Sequence, residues 1–136
     1  MIKSVVHDEA RLVQRSQPAT PADGQTITDL IDTLRANQEN CVGMAANMIG
    51  VNRRIIVVDM GILPVAMINP EITKMAGPYD TQEGCLSLSG ERPTHRFKTI
   101  DVTFLNQNFQ KQRQTFTGFV AQIIQHEVDH CNGILI

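Results

Sequence analysis

The chain has 136 residues, 42% of them hydrophobic, with 12 Lys and Arg against 14 Asp and Glu for a net charge of −2. That length fits one domain with a core of its own, and the charge balance excludes a basic field that would hold nucleic acid by its phosphates. No apolar run approaches the roughly 18–20 residues of a membrane-crossing helix, and the opening "MIKSVVHDEARLVQ" meets charge too early for a secretion signal, so the expected location is the cytoplasm and no membrane partner is expected.

In chain order, residues 16–25 ("SQPATPADGQ") read as a loop on their two prolines and glycine. Residues 26–40 read as a helix, with Ile27, Leu30, Ile31 and Leu34 in one apolar stripe and Thr26 or Thr28 as its cap. The small apolar run 41–50 ("CVGMAANMIG") lets backbone approach something closely at its glycines. Residues 54–60 and 65–74 read as strands, the second broken at Pro70. "AGPYDTQEG" reads as a loop, and residues 99–106 and 112–117 as a hairpin. A last helix is expected over 118–132, closed by Gly133. The fold class is α+β: a single domain of mixed or antiparallel strands around a central helix.

That helix carries Gln125-His126-Glu127-Val128-Asp129-His130. Positions four apart return to one helix face, so His126 and His130 can hold one metal ion, while Glu127 reaches the water beside it. A chance match on a solvated helix is the bland reading. The apolar "FVAQII" just ahead argues against it, because buried polar groups need partners. A catalytic site needs a third protein ligand. Only "CNGILI" follows His130, and Cys131 is turned about 100° off the ligand face, which leaves it a core thiol. The third ligand therefore comes from upstream, where Cys85 stands in "EGCLS". A thiolate there would complete a Cys-His-His set. A nucleophile paired with a histidine and an inert buried cysteine are its other readings. Cys41, Cys85 and Cys131 are odd in number, which argues against a disulfide framework.

"VGMAANMIG", "EGCLS" and "QHEVDHCNG" resemble the three motifs of the peptide deformylases in order and spacing, over about residues 5 to 135. The resemblance implies removal of the formyl group from the N-terminal methionine of nascent peptides, with formyl-methionyl chains and the ribosome as partners. It implies ferrous iron as cofactor, with Zn2+, Ni2+ or Co2+ as substitutes. Cys85, His126 and His130 would be the ligands, Glu127 the acid and base, and the Leu86 N–H an oxyanion donor. Gly43, Met48, Glu83 and Arg96 would line the substrate's surroundings, with Glu83 and Arg96 pairing to anchor the Cys85 loop. Gln125 is expected to be structural. The first motif departs from the family pattern: Cys41 replaces a glycine, and Met48 replaces a glutamine whose amide would share the oxyanion with Leu86. A thioether donates no hydrogen bond, and Asn47 carries an amide one position away. The helix that follows the third motif in many members is missing from these 136 residues. Two functions remain compatible with this pattern: an active deformylase, and a deformylase-like metal-binding protein without the activity. An unrelated H-E-x-x-H peptidase leaves "EGCLS" unexplained.

Overall fold

Among the described residues, five strands form one sheet in the sequential order β1 (Gly43–Ala45), β2 (Ile55–Asp59), β3 (Pro64–Cys85), β4 (Leu88–Leu105) and β5 (Lys111–Thr117). All neighbours run antiparallel, so the expectation of mixed or antiparallel pairing resolves to antiparallel. A computed structural model supplies these coordinates. It describes residues 1–61 and 63–135, and only the backbone of Leu88 and Ser89.

Helix α1 is one turn (Glu9–Leu12), α2 spans Gly24–Ala36, and α3 spans Gly118–Cys131. The alternation along β2 explains the layering. Ile56 and Val58 point to one face, where they meet Met67, Ile100, Val102 and the α3 residues Ile124 and Val128. Ile55 and Val57 point to the other, where Ile27, Leu30 and Leu34 of α2 pack with Leu12 and Ile68. Both faces are dry, so β2 reads as a continuous β-branched run rather than an alternating one. Each such side chain contributes about 1.5–3 kcal/mol on burial. A charge at Val57 would lose that and strand an unpaired ion.

Two stretches differ from the sequence expectations. Residues 76–84 are strand, not loop. They form the outer arm of a long β3–β4 hairpin, with Pro78 opposite Phe97 and Glu83 opposite Arg92. Much of the arm is solvent-exposed, so no hydrophobic alternation marks it, and Gly77 takes the positive φ of +73° within the strand. Pro70 does not end β3 either. The register shifts between Ile68 and Glu71, and Asn69 adopts φ +51°, a bulge that passes the proline without breaking the strand. Helix α2 starts earlier than expected because Thr20 caps a single turn at Pro21–Asp23 that runs into it. Neither Thr26 nor Thr28 is the cap. It ends at Ala36, ahead of the polar run "NQEN".

Candidate metal centre and substrate cleft

Three elements converge on one point. β3 ends at Cys85, a two-residue turn holds Leu86 and Ser87, and α3 passes behind with His126, Glu127 and His130 on its buried side. The ligand atoms of Cys85, His126 and His130 all lie within 4.8 Å of one another, the single such His/Cys/Asp/Glu group among the described residues. Cys85 Sγ is 3.2 Å from His130 Nε2, and the two imidazole centroids are 5.1 Å apart.

The neighbours of this trio fix its orientation. His126 Nδ1 lies 2.8 Å from Glu83 Oε1. A carboxylate only accepts, so Nδ1 carries a proton and Nε2 is the nitrogen left to a metal, which would displace any proton there. Glu83 also accepts from Arg96 Nε at 3.0 Å, Arg96 Nη2 at 2.7 Å and Gln122 Nε2 at 2.8 Å. Burial alone would raise the Glu83 carboxyl, but the bonds from His126, Arg96 and Gln122 carry it down to about 2. Arg96 in turn reaches Asp129 Oδ2 at 2.7 Å. Burial would push His126 down, yet its bonds to Cys85 and Glu83 carry it up to about 10, which marks ground that favours positive charge. His130 is pushed down to about 3 by burial and by His126. Burial raises the Cys41 and Cys131 thiols to about 12, so both stay protonated. One thiolate and two imidazoles, beside a carboxylate that orients one of them, fit a borderline divalent cation such as Zn2+ or Fe2+.

Glu127 is 4% exposed, and its Oε1 has no partner within the protein. Burial raises its carboxyl to about 7. Gly43 of β1 lies directly beneath it. A methyl group at Gly43 would stand 2.7 Å from Ile123 Cγ2 and 3.0 Å from Glu127 Oε2, so the glycine keeps open the approach to the carboxylate. The space in front is a cleft of about 600 Å³. Gly43, Cys85, Leu86, His126 and Glu127 line it, with Val42, Phe119 and Ile123 as its apolar wall. Leu86 opens the turn beyond the last ladder pair, Cys85 with Leu88.

The remaining sequence candidates are placed differently. Glu83 is at the cleft, but its carboxylate is committed to Arg96, His126 and Gln122. Arg96 is 4% exposed and donates to Glu83, Asp129 and the His95 carbonyl, so it is not free to touch a substrate in the cleft; its expected pairing with Glu83 is present. Met48 is buried in the α2-side core, and its Sδ accepts the Ala45 N–H at 3.4 Å. Asn47 is turned to the helix end, where Nδ2 donates to the His130 carbonyl at 3.0 Å. Gln125 donates to the Phe97 and Ala121 carbonyls and accepts from the Phe97 N–H, which ties α3 to β4. Gln122 was missed in the sequence. Its spacing of four residues ahead of His126 was the available signal.

Comparison with known proteins agrees with this geometry. The family model for polypeptide deformylase matches residues 2–136. The chain is 59% identical over 136 residues, the full length of both chains, to the peptide deformylase of Clostridium beijerinckii. Among solved structures, the peptide deformylase of Thermotoga maritima superposes with a TM-score of 0.89 at 33% identity, covering 99% of this chain and 95% of that one. A Met-Ala-Ser-bound class I type b peptide deformylase from Acinetobacter baumannii gives 0.86 at 30% identity, covering 99% and 97%. With a family match over residues 2–136, a relative of equal length at 59% identity and the same fold in solved deformylases, the chain belongs to the peptide deformylase family.

Proposed function

We propose that the protein hydrolyses the formyl group from the amino-terminal methionine of newly made polypeptides, as a metal-dependent enzyme of protein biosynthesis working in the cytoplasm. Cys85, His126 and His130 hold the metal, with Fe2+ as the native ion and Zn2+, Ni2+ or Co2+ as substitutes. When bound, the ion supplies a Lewis acid for the formyl oxygen and lowers the pKa of an adjacent water. Glu127 takes a proton from that water as its oxygen adds to the formyl carbon. It then delivers a proton to the amine nitrogen as the C–N bond breaks, leaving formate and a free amino terminus. The Leu86 N–H faces the developing oxyanion. The formylated chain lies along Gly43, where the absent side chain lets its backbone approach, and the methionine fills the apolar wall of Val42, Phe119 and Ile123. The ribosome enters only as the source of the emerging substrate.

One observation carries this reading: a buried carboxylate with an unpartnered oxygen, held over a glycine at the edge of a convergent Cys-His-His trio. A binding protein that only stored metal would leave Glu127 without a task, buried at a cost. Release of formate from a formyl-methionyl peptide tests the proposal, with an acetyl-methionyl peptide as the control that stays intact.

A further inference from the structure

The segment ahead of α1 touches both the Ala46–Ile49 turn and the turn that follows Cys85. The Val6 N–H donates to the Met48 carbonyl at 2.7 Å, and Val5, Val6, Cys85 and Leu86 all pack against the buried cluster that includes Met48. One residue later, His7 Nδ1 lies 3.0 Å from the Ser87 carbonyl oxygen. A carbonyl only accepts, so His7 Nδ1 carries a proton and donates. The hairpin tip needs such a hold. Its ladder is irregular between Gly84 and Cys85, and Leu86 and Ser87 stand outside the pairing. Cys85, toward the metal, and the Leu86 N–H, toward the formyl oxygen, must nonetheless be held closely to serve one reaction.

We propose that His7 is a positioning residue, fixing the Cys85–Ser87 turn through the Ser87 carbonyl so that the Cys85 thiolate and the Leu86 N–H keep their aim. This rests on the deformylase reading for its kinetic consequence, but not for its structural one. The test compares His7→Leu, which keeps bulk and loses the donor, with His7→Asn, whose side-chain amide places an N–H near the position of Nδ1. A single net hydrogen bond sets the scale at about two- to tenfold. In His7→Leu, kcat on a formyl-methionyl peptide falls by about that factor with little change in KM. Metal loss to a chelator accelerates, and the Leu86 and Ser87 amides exchange faster with solvent. His7→Asn restores all three readouts to within about twofold of the starting protein. The proposal is overturned if His7→Leu matches the starting protein in metal loss and amide exchange, or if His7→Asn is as impaired as His7→Leu. If the starting protein itself releases no formate, the deformylase reading fails, while metal loss and amide exchange still judge His7.

Discussion

Glu83 Oε1 and His126 Nδ1 stand 2.8 Å apart, and this contact links the long hairpin, which ends its first strand at Cys85, to the helix that carries His126 and His130. It sets the tautomer of His126 and couples it to Arg96 and Asp129 behind. Replacing Glu83 by Gln keeps the shape and removes the charge. Metal affinity is expected to fall by about 10- to 100-fold, measured by competition with a chromophoric chelator. Unchanged affinity would show that the contact does not tune the site.

Glu127 is assigned to proton transfer rather than ligation. Glu127→Ala should keep one metal per chain and lose activity by at least about 10²-fold. Loss of metal together with activity would make its role structural.

The same residue gives a pH signature. Its carboxyl rises from 4.5 to about 7 in the fold. The folded state therefore binds the extra proton between those values, and metal-free stability falls as pH rises through that window. Glu127→Gln should abolish this loss, stabilising the metal-free protein by up to about 3 kcal/mol at pH 8 and by almost nothing at pH 4. Denaturant titrations at the two pH values check it, and an equal effect at both would refute the assignment.

Gly43→Ala places a methyl group against Ile123 and Glu127. Overpacking of this kind costs about 1–3 kcal/mol, and the displaced carboxylate should lower kcat/KM at least tenfold. A variant with normal kinetics would mean that the cleft floor is more compliant than its contacts indicate.

Met48→Gln restores an amide where the family motif has one. The new Oε1 can take the Ala45 N–H that the sulfur now accepts, and Cys85 and Leu86 pack against the cluster that holds residue 48, so Nε2 is left to turn toward the oxyanion side of the cleft. An added oxyanion donor is typically worth about 10²–10³ in kcat. With Cys41 still at the motif's first position, a rise of about tenfold or more is expected, with a smaller change in KM. An unchanged kcat would mean that Met48 is no handicap.

Much of this site was legible in the sequence because helical spacing is rigid. His126 and His130 had to share a face, and the apolar residues before them had to bury it. Cys85 was legible as a candidate from the need for a third ligand, and the family motifs added its pairing with the histidines, since no local period relates residue 85 to residue 130. The outer hairpin was illegible because its exposed strands carry no alternation, and Gly77 and Pro78 read as turn residues. The pairing of Arg96 with Glu83 was read from the sequence, but an arginine's sequence position does not reveal that Asp129 and the His95 carbonyl engage it as well and leave it turned from the cleft.

The most direct measurement is formate release from a formyl-methionyl tripeptide by protein loaded with Fe2+ without oxygen, alongside its metal content. The account predicts one iron per chain and a kcat/KM of at least about 10⁴ M⁻¹ s⁻¹, within the ordinary enzyme range. Stoichiometric iron with no formate released would contradict it.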